Sequence, residues 1–187
     1  MTPSRLYHSI RLLLCRSYKS RAEYLKKHEL LGAMGDNCLW GPWLLPVYPK
    51  LIKVHNNVKV HKTALLVPHD LLNRHLKTCF PKMDFGHYEK IGCIELMDNS
   101  YVSMYSIVMP NVRIGRNSIV STMSVVTSDV PDNTIVSGNP AKAIGKTDMF
   151  AALRQMGKKN TLAFKNQKMS DEIVKAEWDS FNSKRSK

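Results

Sequence analysis

Branched aliphatic residues recur at every sixth position from Leu96 to Val126: Leu96, Val102, Val108, Ile114, Val120 and Val126. Four residues after each stands Ser or Val, in the order Ser100, Ser106, Val112, Ser118, Ser124 and Val130. A six-residue period fits neither the turn of an amphipathic helix nor the bare alternation of a lone strand, so the chain must coil with a short fixed unit. If each hexad is one flat face plus one corner, three hexads, about 18 residues, close a triangular turn. Successive turns then stack at about the 4.8 Å of paired strands. The first-position aliphatic fills the axis of such a prism, and only a small side chain fits inside the corner at position five. Asn99, Asn111 and Asn117 stand just before fifth positions, where their tolerance of left-handed backbone suits a turn.

The rhythm continues upstream in weaker form, with Val54, Val60 and Leu66 at first positions and Val58 and Ala64 at fifth. Met34 and Trp40, with Cys38 and Leu44, predict an opening coil that Pro42, Pro46 and Pro49 interrupt. After Leu66 the pattern fails through LVPHDLLNRHLKTCFPKMDFGHYEK, which predicts a loop of about 23 residues, 71–93, extruded from the stack. Loops of that length are commonly functional. Residues 4–31 read as helix broken near Ser17 to Ser20, with Leu6, Ile10, Leu13, Ala22 and Leu25 as a core-facing stripe. Arg5, Arg11, Arg16, Lys19 and Arg21 would suit an anionic membrane surface, but the short apolar face favours core packing over membrane contact. Residues 148–187 offer two more helical pieces, the second capped by Ser170 with Asp171 and Glu172 in its first turn, before an SKRSK end expected to fray. The expected organisation is a helical flank over 1–31, a repeat domain over 32–146 and a helical tail over 147–187.

The stretch from Ile91 to Gly145, with its closing DVPDNT and GNPAK, resembles the carboxy-terminal coils of the hexapeptide-repeat acyltransferases. Upstream, PKLIK followed by a gapped hexad block and a His-Asp pair is similar to the sugar and serine O-acetyltransferase branch. The resemblance covers roughly residues 19–146 and implies a mainly β fold, a left-handed parallel β-helix with helical flanks at both ends. The hand comes from the resemblance alone, because it is the exception to the right-handed crossover rule.

The resemblance also implies a general base, a His at the edge of the insertion, here His69. The family usually writes Thr before its His-Asp pair, and Pro68 departs from that. Acyl transfer from a thioester to a hydroxyl needs a base for the hydroxyl proton and donors for the developing oxyanion. An imidazole can take that proton unaided at cellular pH, so no covalent nucleophile is required. Asp70 is the tempting orienting carboxylate, yet neighbours along a strand point to opposite faces. Asp84, Glu95 or a backbone carbonyl are the alternatives, and an incidental loop histidine is the plain reading of His69. For coenzyme A, the positions matching the family's groove are Tyr101, Met104, Thr122, Thr127, Ser128 and Lys142. Ser128 stands where the family often has Lys, and Lys142, Lys146 and the basic tail would supply charge to the nucleotide phosphates. The plain reading of the small polar positions is that they satisfy the rules of a prism surface. Family members pack as trimers with each site between neighbours, so loop 71–93 is expected to overhang a neighbour's groove.

At 187 residues and 21.3 kDa the chain suits one domain with short flanks. The net charge of +13, from 28 Lys and Arg against 15 Asp and Glu, favours anionic partners: coenzyme A phosphates or an acidic glycan or lipid-linked precursor. No recognised reading motif accompanies the basic flanks, so nucleic acid is not expected. Cys15, Cys38, Cys79 and Cys93 show no metal spacing and no paired framework, which suits a reduced, cytoplasmic compartment. The amino-terminal apolar run from Leu12 to Cys15 is too short for a signal peptide or a membrane span. His55 and His61 occupy second positions where the family commonly has Gly, and no His pair has the five-residue spacing of the zinc site in the related gamma-class carbonic anhydrases, so no metal is expected. His75 and His87 lie in the insertion and could meet substrate. The combined reading is an acetyl-CoA-dependent O-acetyltransferase acting directly on a hydroxyl of a sugar or polysaccharide precursor. The alternatives are a serine or other small-molecule acceptor, against which the short amino-terminal flank argues, and a non-catalytic β-helix scaffold, which could dispense with the His-Asp pair.

Overall fold

A computed structural model describes residues 2–86, 89–156, 170–183 and 185. The chain divides into two compact units, Met1–Ala152 and Leu153–Lys187. In the first, helices α1 (Pro3–Leu14) and α2 (Tyr18–Lys27) precede an opening turn of β1 (Ala33–Met34) and β2 (Leu39–Trp40). A 3-10 turn over Pro49–Leu51 leads into β3 (Ile52–Val54), β4 (Lys59–Val60) and β5 (Leu65–Leu66). The insertion holds β6 (His69–Asp70), α3 (Leu72–Cys79) and β7 (Lys90–Ile91). The stack resumes with β8 (Ile94–Leu96), β9 (Tyr101–Val102) and β10 (Ile107–Val108), then β11 (Val112–Ile114), β12 (Ile119–Val120) and β13 (Val125–Val126). Strands β14 (Thr134–Gly138) and β15 (Ala141–Lys146) and helix α4 (Thr147–Met156) follow, and α5 (Asp171–Ser183) lies in the second unit.

The strands form three faces that the chain visits in rotation. The first is β1-β3-β8-β11, the second β2-β4-β9-β12-β14 with β15 added antiparallel, and the third β5-β10-β13. Ile94 faces Val112, Tyr101 faces Ile119 and Ile107 faces Val125, all in parallel and each 18 residues apart. One turn is therefore three hexads. The first-position side chains Leu96, Val102, Val108, Ile114 and Val120 are each 0% exposed and fill the axis. Strands this short leave most of the burial to the axis and corners, and the helices hold more residues than the strands, so the architecture is mixed rather than mainly β.

The corners explain the rest of the hexad. Fifth-position Ser100, Ser106, Ser118 and Ser124 are buried, as are Val58, Val112 and Val130 at the same place in the repeat, so the corner encloses a small or β-branched side chain. Ser118 Oγ donates to the Pro131 carbonyl at 2.7 Å and accepts from the Thr134 N–H, so its polarity is absorbed by the backbone it crosses. At the fourth positions Asn99, Asn111 and Asn117 adopt φ of 60°, 60° and 54°, the left-handed conformation read from the sequence. Tyr105 and Met123 do the same, with φ of 54° and 59°. On the corner between the first and second faces the asparagines stack: Asn57 Nδ2 donates to Asn99 Oδ1 at 3.0 Å, and Asn99 Nδ2 to Asn117 Oδ1 at 2.8 Å.

Three sequence expectations change. Leu6, Ile10 and Leu13 of the predicted core-facing stripe are exposed, while Ser9 and Leu12 are buried; Ala22 and Leu25 of α2 do pack inward. The reason is polar docking: Arg5 Nε donates to the Leu45 carbonyl at 2.7 Å and Ser9 Oγ accepts from the Leu45 N–H at 3.1 Å, turning that side of α1 inward. Leu44, expected at a fifth position, is exposed and Leu45 is buried, because the proline-rich segment after β2 leaves the coil. The insertion is not a structureless loop, since β6 and β7 pair antiparallel across its base and α3 fills its first half.

In the second unit the Ser170 carbonyl accepts the N–H groups of Ile173 and Val174 at the start of α5. Trp178 and Phe181 meet edge to face at 5.4 Å, and the Arg185 guanidinium lies 3.4 Å from the Phe181 ring centre. The rest of the SKRSK end lies largely outside the described residues.

On the first face, Glu95 lies in register between Lys53 and Arg113. Its carboxylate accepts from His55 Nε2 at 2.9 Å and from Arg113 Nε at 2.7 Å. The His55 hydrogen bond first, and then Arg113, hold this carboxyl below its usual range against the opposing effect of burial. The folded state thus binds a proton less readily than the unfolded chain. The resulting stabilisation is complete above the ordinary carboxylate range and is lost as pH falls through the depressed folded value. Glu95→Gln is expected to reduce the drop in urea midpoint between neutral pH and about pH 3, which parallel denaturation curves will measure. Met123 is 72% exposed, so Met123→Asn removes little burial and relieves a left-handed non-Asn residue. It is expected to raise unfolding free energy by about 1 kcal/mol in urea, whereas Leu96→Ala at the axis is expected to lower it by about 2–5 kcal/mol.

Candidate functional site

Where the coil breaks, the geometry is set by β6. His69 pairs with Ile91 and Asp70 with Lys90, and the Gly92 N–H donates to the Pro68 carbonyl at 2.9 Å, so the two ends of the insertion are tied where it leaves the coil. His69 thus stands on a hydrogen-bonded base. The ring of Tyr48 meets the His69 ring edge to face, 5.6 Å between centres and 82° between planes. Tyr48 adopts a left-handed φ of 51°, and its hydroxyl donates to Glu89 Oε2 at 2.5 Å. That hydrogen bond pushes the phenol's pKa up and keeps it protonated. A residue from the proline-rich segment between β2 and β3 and one from the end of the insertion therefore join beside the histidine.

His69 Nδ1 is buried with no hydrogen-bond partner among the described residues. The side chain lines a cavity of about 340 Å³ walled by Trp40, Trp43, Leu44 and Leu65, with Arg5 and Lys62 as its cations. Trp40 Nε1 is likewise buried without a partner. His69 thus brings an imidazole to the rim of an apolar recess, where a ring nitrogen could take the proton of a substrate hydroxyl.

The carboxylates considered for orienting His69 each accept other hydrogen bonds. Asp70 Oδ1 accepts the Leu72 N–H at 3.0 Å and begins α3, on the opposite strand face from its neighbour. Asp84 Oδ1 accepts the Gly86 N–H at 2.8 Å, and both Glu95 oxygens are taken by His55 and Arg113. Among the described residues, Tyr48 is in ring contact with His69. The sequence signal for it was weak, a tyrosine between two prolines in a stretch that breaks the hexads.

The six positions matched to a coenzyme groove do not form one line. Met104 and Thr122 stack on the corner between the second and third faces, where the Met123 N–H donates to the Met104 carbonyl and Thr122 Oγ1 meets Ser103 Oγ at 2.9 Å. Exposed Tyr105 and Met123 extend that edge, and the sequence pattern alone did not single them out. Thr127 and Ser128 follow β13 at the other edge of the third face. Leu66, Val108 and Val126 are in register, so this edge is the column of Val67 and Pro68, immediately before His69. His69 and Thr127 are thus two turns apart on one edge, roughly 10 Å at about 4.8 Å per turn. Tyr101 lies in β9 on the second face between Lys59 and Ile119, and Lys142 lies in β15 opposite Ser137.

Among the described residues no group of three His, Cys, Asp or Glu side chains is placed to hold a metal ion. His61 Nδ1 lies 3.1 Å from Thr63 Oγ1, and His75 Nε2 lies 3.5 Å from Cys79 Sγ. His87 lies outside the described residues. No helix among the described residues is long and apolar enough to cross a membrane.

No family model matches the chain. In sequence, it is 36% identical over 102 residues to protein CapG of Staphylococcus aureus, covering 54% of this chain and 56% of that protein. A Schizosaccharomyces pombe protein named as an acetyltransferase is 44% identical over 55 residues, 29% of this chain and 27% of its own length. An S. aureus protein of the same naming is 39% identical over 61 residues, 33% of this chain and 31% of its own. The chain thus spans about a third of the first curated relatives and just over half of CapG. Among solved structures, a galactoside acetyltransferase in complex with coenzyme A superposes with a TM-score of 0.52 at 18% identity, covering 91% of this chain and 92% of that one. A hexapeptide-repeat acetyltransferase from Vibrio cholerae, complexed with acetyl coenzyme A, gives 0.51 at 20% identity over 77% of this chain and 87% of its own. A maltose O-acetyltransferase from Clostridium difficile gives 0.50 at 21% identity over 76% and 85%. These likenesses show the fold, that of the hexapeptide-repeat acetyltransferases, whose six-residue repeat and closing segments this sequence resembles.

Proposed function

We propose that the chain is a coenzyme A-dependent O-acetyltransferase, built on a left-handed parallel β-helix, that moves acetyl from acetyl-CoA to a hydroxyl of a sugar or polysaccharide precursor. The observation that carries this reading is His69 lining a cavity where the coil is interrupted, its ring braced by Tyr48. In the proposed reaction the acceptor oxygen attacks the thioester carbonyl carbon while His69 takes the hydroxyl proton. The tetrahedral oxyanion collapses, the carbon–sulfur bond breaks, and the proton passes from the imidazolium to the departing thiolate. Backbone N–H groups at a coil corner serve as oxyanion donors. Tyr48 is a positioning residue through its ring contact with His69.

The division of the coenzyme positions between two edges supports a shared site. In a trimer, the edge carrying Met104 and Thr122 in one protomer would face the edge carrying His69, Thr127 and Ser128 in the next, with Lys142 and Tyr101 flanking it. The cyclic arrangement repeats that pairing three times. A sugar acceptor is supported by the cavity's Trp43 wall, whose indole offers an apolar face to a pyranose ring, and by the galactoside and maltose enzymes among the structural neighbours.

With acetyl-CoA and a panel of sugar hydroxyls, thiol release by His69→Ala is expected to fall by about 10²–10⁴ relative to the unchanged protein. Equal release from both proteins would remove His69 from the chemistry. Light scattering of the 21.3 kDa chain is expected to report a trimer, and a stable monomer would contradict the shared site.

A further inference from the structure

Helix α1 displays an apolar stripe to the outside of its own unit. Leu6, Tyr7, Ile10, Leu13 and Leu14 are 46%, 59%, 48%, 53% and 67% exposed. At roughly 3.6 residues per turn they fall within an arc of about 120°. The side that docks, through Arg5, Ser9 and Leu12, is centred roughly 130° around the helix from it. Five large apolar side chains in one stripe on a twelve-residue helix form a contiguous patch of the kind that marks an interaction surface.

The charge around the stripe selects the occupant. Residues 1–22 contain Arg5, Arg11, Arg16, Lys19 and Arg21 and no carboxylate, the first acidic residue being Glu23. Arg5 and Arg21 are spent on backbone carbonyls of Leu45, Gly41 and Leu12, whereas Arg11, which also reaches the Tyr24 hydroxyl, Arg16 and Lys19 are exposed. Arg11 borders the stripe on the Tyr7 and Leu14 side, and Arg16 lies just past the helix end. An apolar face rimmed by cations, with a tyrosine at its margin and no acid to repel phosphate, matches the interface of a bilayer bearing anionic headgroups. We propose that α1 is an interfacial helix that seats the protein on an anionic lipid surface, with Leu6, Ile10 and Leu13 inserted among the acyl chains and Arg11, Arg16 and Lys19 on the headgroups.

Co-sedimentation of the full chain with vesicles tests this. Vesicles of phosphatidylcholine with about a third phosphatidylglycerol are expected to carry down at least tenfold more protein at low salt than phosphatidylcholine alone, with the excess lost at about 0.5 M salt. Ile10→Ser/Leu13→Ser should cut the bound fraction at least fivefold with an unchanged far-UV spectrum. Arg11→Gln/Arg16→Gln should weaken binding to anionic vesicles only. Three results would overturn the proposal: recovery of the unchanged protein in the supernatant with either lipid, binding that survives the serine substitutions, or a serine variant whose mass in lipid-free solution falls to a smaller assembly, since the stripe would then be covered by a second copy. None of these readouts uses acetyl transfer, so they stand apart from the enzymatic reading.

Discussion

The turn at each corner of the coil is the constraint on which the rest of the structure depends. To close a triangular turn in eighteen residues, the backbone must bend sharply every sixth residue, and at most corners it does so with one residue in the left-handed region and the next side chain buried inside the bend. Those two requirements dictate the hexad. Asn is favoured at the left-handed position because its short polar side chain tolerates it, and Ser fits the inner position because its hydroxyl can bond to the backbone that encloses it. The axis aliphatics follow from the corners, since a prism with fixed edges leaves one interior slot per face. Turn-to-turn bonds between Asn57, Asn99 and Asn117 then couple one corner to the next, so register is held along an edge as well as across a face.

Such a wall gives little freedom to evolve a site within it. Every inward position is committed to axis or corner, and a side chain placed on a face has strands on both sides. Chemistry must be built at edges or in departures from the repeat. The chain has two departures, the proline-rich stretch before the 3-10 turn and the insertion after β5, and they converge: Tyr48 from the first touches His69 at the start of the second, and Glu89 near the end of the second holds Tyr48. The cavity beside His69 also draws its walls from the first departure and from β5. The proposed base is therefore braced by the parts of the molecule that break the rhythm, while the regular turns supply an edge along which a second substrate could lie.

Legibility in the sequence followed the same division. The faces, the axis residues and the corner asparagines were readable because a strict period converts position into burial without knowledge of distant contacts. Tyr105 and Met123 were invisible to that reasoning: their corners obey the same backbone rule, but no residue type announced it. His69 stood out as the point where the period stopped, whereas its partner Tyr48 lies in a segment with no period at all, so only the folded arrangement brings the two together. Asp70, adjacent to His69 in sequence, gives one carboxylate oxygen to the Leu72 N–H at the start of α3.

Helix α1 shows why periodicity alone could not choose its buried side. A hydrophobic stripe predicts that one face leaves water, and the default inference is that the protein's own core receives it. Here Arg5 and Ser9 make two hydrogen bonds to the backbone of Leu45 and bring Leu12 down beside them, and that single docking contact fixes the rotation of the whole helix. The richer apolar face is left pointing away from the coil. Hydrogen-bond geometry discriminates between rotations of a helix far more sharply than an area-proportional hydrophobic term, which changes smoothly with angle. Where a helix carries both a weak polar dock and a strong apolar stripe on different sides, the dock can set its pose and the stripe is free to meet something else.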